Sequence, residues 1–162
     1  MINKYAALGC FVLFVAGCGS SPPPAEEPAR GEIIAYTEGF FPAERSETGA
    51  TFRWMGPEGV VRLRNTHQPM VLTIRGRAPV EQLPQTPTVS LQFNGQPLEE
   101  IQADANTVER VYRIPVAQQG SDWSELRIKT TQSFVPHEVD PKSPDARQLG
   151  FNLYSLSWET DQ

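Results

Sequence analysis

The sequence predicts an all-β fold, a two-layer antiparallel β-sandwich of jelly-roll type, and three observations carry that prediction. Beyond Arg30 no stretch repeats apolar residues at the 3.6-residue period of a helix. Short runs with a period of two, rich in Val, Ile, Phe and Thr, recur instead between Gly, Pro and Asn punctuation. Eight or nine such runs, so closely spaced, suit two packed sheets.

The first run, Glu32 to Glu38, meets a corner at Gly39-Phe40-Phe41-Pro42. In Thr51 to Met55, Phe52 and Trp54 share a face and Arg53 takes the other, which assigns Trp54 to the core. Gly56-Pro57-Glu58-Gly59 reads as a tight turn. A separate strand then runs from Val60 to Asn65, where Val61 and Leu63 alternate with Arg62 and Arg64. Thr66-His67-Gln68-Pro69 turns the chain into Met70 to Arg75, with Met70, Leu72 and Ile74 aligned.

After a proline-studded loop from Ala78 to Pro87, Thr88 to Asn94 alternates Val89, Leu91 and Phe93 with polar residues. Asn94-Gly95 tolerates the positive φ angles of a two-residue hairpin turn, so Leu98 to Ala103 returns alongside. Val108 to Val116 places Tyr112 on the apolar face with Val108 and Ile114, and Trp123 to Thr131 turns Leu126 and Ile128 inward. The longest irregular piece, Gln132 to Gln148, leads to the last strand, Leu149 to Glu159. There Phe151 and Leu153 have one parity while Leu156 and Trp158 have the other. Both pairs can be buried only if one residue is inserted, which predicts a β-bulge near Tyr154-Ser155.

Ahead of this domain the chain has a short amino end bearing Lys4, an apolar run from Ala6 to Ala16, and then Val15-Ala16-Gly17-Cys18. The run is too short for a helix that spans a hydrocarbon core, which needs roughly 20 residues. The four-residue stretch resembles the lipobox of bacterial lipoprotein precursors. That resemblance implies a signal peptide at 1–17 and cleavage before Cys18, a diacylglyceride on the Cys18 sulfur, and commonly a further acyl chain, such as palmitate, on its amino group. Residues 18–30, with Pro22-Pro23-Pro24 and no large apolar side chain, then form an extended tether for a β-sandwich domain at 31–162. Gly19, where an Asp commonly retains lipoproteins in the inner membrane, favours the outer membrane in a host with two.

The whole chain carries a formal charge of -5. Loss of Lys4 with the leader makes the remainder more acidic, which argues against a nucleic-acid partner. Of the two cysteines, Cys10 lies in the leader and Cys18 takes lipid, so the domain is left with neither a disulfide nor a thiolate metal site. The 15 prolines contribute rigidity by another route, lowering the entropy of the unfolded chain.

The corner at Gly39-Phe40-Phe41-Pro42, Phe52-Arg53-Trp54, the Asn94-Gly95 hairpin, Phe134-Val135-Pro136 and the ending Asp145-x-Arg147-x-Leu149-Gly150-Phe151 form a pattern. It resembles the galactose-binding-like, carbohydrate-binding-module type of β-sandwich found attached to bacterial membrane glycosyltransferases and in small envelope lipoproteins. The resemblance spans roughly 32–159 and implies a jelly roll and, in some members, glycan binding.

Candidate ligand-contacting residues are Trp123, at a loop-to-strand junction beside Asp122, and Arg53, Arg62, Arg64 and Arg75, which together suggest a cationic outer face. Weighed against that face is a solvated surface balanced by acidic neighbours. Asp145 and Arg147 read as a carboxylate–guanidinium pair that fixes the long loop. Trp54, Trp123, Trp158, Tyr36 and Tyr112 are candidates for stacking on a sugar ring, set against a core role; Trp54, Trp158 and Tyr112, which share parity with apolar neighbours, read as core. His67 and His137 are isolated, and no nucleophile motif accompanies them. Glu99 and Glu100 point to opposite faces of one strand, which suits no acid/base pair. No metal-ligand spacing is present either; Asp140 and Asp145 are the nearest approach to a calcium site. The expectation is therefore an exported, lipid-anchored binding module for glycan, without catalytic residues, metal or cofactor. An accessory lipoprotein that contacts another envelope protein is the alternative.

Overall fold

The computed structural model describes residues 31–162; the leader, the lipobox with Cys18 and the Pro-rich linker lie outside the described residues. The strands are β1 (Ile34–Phe40), β2 (Glu44–Arg45), β3 (Thr51–Arg64), β4 (Met70–Arg77), β5 (Thr88–Phe93), β6 (Gln96–Gln102), β7 (Val108–Ile114), β8 (Trp123–Thr130) and β9 (Phe151–Thr160). A single-turn helix, α1 (Pro136–Val139), interrupts the long loop before β9, and 3-10 turns occupy Val80–Gln82 and Val116–Gln118. Among the described residues no helix is long and apolar enough to cross a membrane. All pairings are antiparallel, along the path β6-β5-β8-β3-β9-β4-β7, with β1 and β2 also on β3.

The expected turn at Gly56-Pro57-Glu58-Gly59 does not form, and β3 runs through it for 14 residues. The strand changes partners there. Arg53 to Met55 pair with β9, whereas Glu58 to Arg64 pair with β8 and are flanked by β1 on the other side. Proline has no N–H to give a ladder, so it suits the point where one set of bonds ends and the next begins. The chain approaches closely here: the Gly150 N–H donates to Met55 O at 2.8 Å, and a Cβ on Gly150 would lie 2.5 Å from the Gly56 oxygen.

β3 thereby belongs to both layers of the sandwich. One layer is β1-β3-β8-β5-β6 and the other is β3-β9-β4-β7. Between them Val61, Leu63, Leu91, Phe93, Leu126 and Ile128 meet Leu72, Ile74, Ile114, Phe151, Leu153 and Trp158 in one buried cluster. Each such side chain contributes about 1.5–3 kcal/mol on burial. Trp158 is core as expected, and its indole N–H donates to Arg64 O at 2.8 Å.

Two local expectations hold. Asn94 and Gly95 both adopt positive φ, 48° and 77°, and close the β5–β6 hairpin. In β9 the register against β4 slips between Ser155, opposite Arg75, and Leu153, opposite Gly76. Tyr154 is the inserted residue, and the slip lets Leu153 and Trp158 both face inward despite their opposite parity.

Along the open side of the sandwich the edge strands β6 and β7 are joined by polar contacts. Glu99 accepts from Arg110 Nε at 2.9 and 3.0 Å and from the Tyr112 hydroxyl at 2.7 Å. The Tyr112 bond, and then Arg110, hold the Glu99 carboxyl below its ordinary value of 4.5. Burial, reinforced by Glu99, pushes the Tyr112 phenol up.

A carboxyl depressed in the folded state adds stability above its unfolded pKa and loses it as the pH falls through the folded one. Glu99→Gln should therefore cost about 1 kcal/mol at pH 7, discounted for the partial exposure of the pair, and less at pH 3. Urea unfolding at the two pH values measures the difference.

Candidate ligand-binding groove

The partner change in β3 decides which side chains of its first half face out. Arg53 and Met55 are opposite Leu153 and Phe151, both inward, so Trp54 points to the outer face of the second layer. This corrects the assignment of Trp54 to the core. Met55, of opposite parity, is the fully buried residue, and Trp54 is half-buried with its ring edge-to-face against Phe134 at 6.4 Å.

Trp54 pairs with Asn152 across β3–β9, and Asn152 pairs with Arg77 across β9–β4, so the three stand in one row on one face. The bulge at Tyr154 adds a second aromatic beside them. Ala78, Pro79 and the 3-10 turn, through Glu81 and Gln82, form the facing wall. The result is a groove of about 210 Å³. That is below the roughly 300–1,000 Å³ of pockets that enclose a drug-sized ligand, so it suits one ring or a chain end.

Two polar atoms in the groove's lining residues are buried without a hydrogen-bond partner: Arg77 Nε, a donor, and Asn152 Oδ1, an acceptor. Leaving such a group unpaired costs about 1–3 kcal/mol. The Arg77 guanidinium is otherwise paired with Glu81, four residues on; the two side chains are 36% and 51% exposed. An ion pair this exposed is worth roughly 0–1 kcal/mol, so separating Glu81 from Arg77 costs little. Arg77, Glu81 and Asn152 are not singled out by the sequence, whereas the parity conflict that predicts the bulge points to Tyr154.

The anticipated four-arginine face is divided between sites. Arg62 and Arg64, on the outer side of the first layer, gather around Trp123, with guanidinium carbons 5.3 and 4.4 Å from its ring centroid. Arg64 Nε also donates to Glu32 O at 3.0 Å, which fixes the chain where it enters β1. Trp123 is half-buried under these contacts rather than freely exposed. Arg53 instead lies 4.5 Å over the Tyr36 ring and donates to Phe41 O at 3.3 Å. Arg75 is on the other layer, 3.9 Å from Glu109. On the first layer's outer side Arg127 and Lys129 are interleaved with Glu58 and Glu125.

Asp145 and Arg147 form the two-pronged pair, at 3.0 and 2.7 Å. Arg147 Nη1 continues to Glu44 Oε1 at 2.6 Å, and the guanidinium covers the Phe41 ring at 5.1 Å. Arg147 accordingly holds the Asp145 carboxyl below its usual range. Asp140 Oδ1 accepts from Lys142 N–H, and no cluster suited to a metal ion occurs among the described residues. His137 Nδ1 lies 2.8 Å from Ser143 O, within the loop, and His67 occupies an exposed turn at φ 58°.

No protein-family model matches the chain, and no curated protein matches it. Among solved structures it is similar to a family 35 carbohydrate binding module from Clostridium thermocellum, with a TM-score of 0.45 and 12% identity over 80% of this chain and 92% of that one. It is also similar to CBM35 from Paenibacillus barcinonensis, with a TM-score of 0.40 and 13% identity over 80% and 94%.

Lysine offers a point charge in place of the guanidinium fork. Arg147→Lys should thus release the 132–148 loop by about 1.4 kcal/mol and speed its cleavage about tenfold in limited proteolysis. The melting temperature of the sandwich should stay within a few degrees of the parent.

Proposed function

We propose that this chain is a non-catalytic binding module that takes a sugar ring of an envelope glycan in the groove beside Trp54. The observation that carries this reading is the combination in one place of an aromatic platform with an unpaired buried donor and acceptor. Trp54 and Tyr154 present flat apolar surfaces to the C–H side of a pyranose. Neighbouring hydroxyls of the ring supply an acceptor for Arg77 Nε–H and a donor for Asn152 Oδ1. Both atoms are shut off from solvent in the present arrangement, so the ligand reaches them as the Arg77–Glu81 pair swings aside. The groove's single carboxylate, Glu81, is committed to Arg77, which favours holding a ligand over transferring its protons.

In the same proposal the module is lipid-anchored through Cys18 and carried on the Pro-rich linker, in the outer membrane where the host has two. Two or three acyl chains would hold it durably, as one does not. The chain enters β1 at the Arg64 end of β3, whereas the groove is at the Trp54 end. Ten residue steps of β3 separate the two, up to roughly 33 Å at about 3.3 Å per residue, so the groove is turned away from the anchor.

Calorimetry of the whole chain in detergent, titrated with envelope polysaccharides and their component sugars, tests the reading. Binding should weaken at least tenfold in Trp54→Ala and in Asn152→Ala, and tighten a few-fold in Glu81→Gln, which frees the guanidinium. Trp123→Ala should leave it unchanged. Absence of binding at millimolar sugar, or dependence on Trp123 in place of Trp54, overturns it.

A further inference from the structure

Of the edge strands β6 and β7, one is guarded against pairing and the other is not. β6 carries Pro97, and its register slips between Leu91 and Gln92 of its neighbour, devices that discourage a further strand. β7 has neither. Its seven residues pair with β4 in unbroken register, from Met70 opposite Ile114 to Gly76 opposite Val108, and among the described residues its other side is unpaired. Val111, at its centre and facing out, is 61% exposed, more than any other large apolar side chain among the described residues.

We infer that β7 is a dimerisation edge, whose partner is β7 of a second copy of this chain. The pattern Glu109-Arg110-Val111-Tyr112-Arg113 is self-complementary about Val111. Two β7 strands set antiparallel on a twofold axis at that residue bring Val111 against Val111 of the second copy. Glu109 then faces the second copy's Arg113, and Arg113 faces the second copy's Glu109, which makes both outward charge contacts attractive. Each group has a solvent-facing partner that the pairing exchanges or shares: Glu109 lies 3.9 Å from Arg75, and Arg113, whose side chain is 78% exposed, donates to Asp161 at 2.8 and 2.7 Å. Exposed ion pairs of this kind are worth roughly 0–1 kcal/mol, so the exchange costs little. A register displaced by two residues would set Val111 against a charged residue and lose this match. The pairing joins two outer layers into one continuous sheet and leaves the Trp54 groove, on β3, β9 and β4, uncovered at the edge.

Sedimentation equilibrium of the whole chain in density-matched detergent tests the inference. The parent should be a dimer at tens of micromolar. Glu109→Arg and Arg113→Glu, each of which sets like charges face to face, should each weaken the dimer at least tenfold. The two substitutions together should restore it, and thermal melting confirms that every variant is folded. Val111→Cys should give a disulfide-linked dimer under mild oxidation beyond any that the parent's Cys10 and Cys18 produce. A parent that stays monomeric at several hundred micromolar overturns the inference. So does a dimer indifferent to both charge reversals, or one that the double substitution does not restore.

Discussion

The structure depends on one strand being shared by two layers. β3 enters the sandwich beside β9 and leaves it beside β8, and the exchange takes place over Gly56 and Pro57 without an intervening turn. From that exchange follow the burial of Met55, the outward placing of Trp54 and the inward placing of Arg53, since side chains alternate along a strand and the burial of one decides its neighbours. Close contact with Gly150 holds the crossing in place, and a short β2 and the Arg147 pairing to Glu44 brace the strand's beginning. The site and the scaffold therefore have the same origin.

Charge is used sparingly and at margins. Glu99, Arg110 and Tyr112 close the open side, Arg147 ties a long loop to the corner, and Arg64 fixes the chain's entry. Each places a half-buried guanidinium where apolar side chains run out, with its hydrogen bonds met by a carboxylate or a carbonyl. A domain without thiols has no covalent staple, and these contacts restrain the places that a hydrophobic core does not reach.

The sequence was legible where a single local rule governed the outcome. Asn94-Gly95 permits little but a hairpin, and the parity conflict between Leu153 and Trp158 demands an inserted residue, which is Tyr154. It was misleading where local and tertiary preferences conflict. Gly56-Pro57-Glu58-Gly59 has the composition of a turn, but hydrogen bonds from β8 and β1 keep the following residues extended. Trp54 is affected in the same way, because within an isolated strand at 51–55 two aromatics outweigh Met55, whereas the continuous β3 buries Met55 and turns Trp54 outward. The groove itself was hidden for a different reason. Trp54, Arg77, Glu81 and Asn152 come from distant parts of the chain, and no spacing rule unites residues that meet only across three strands.

The placing of chain entry and groove at opposite ends of β3 has a mechanical consequence. Tension applied between Gly31 and a ligand at Trp54 would act along β1 and β3, parallel to their axes. Antiparallel strands drawn past one another in this direction are stressed in shear, with the whole ladder from Ile34 to Phe40 sharing the force rather than opening bond by bond. The β1–β3 pair is thus the element oriented to withstand a pull on the domain, and the second layer, which bears the groove, is joined to it through the continuous backbone of β3.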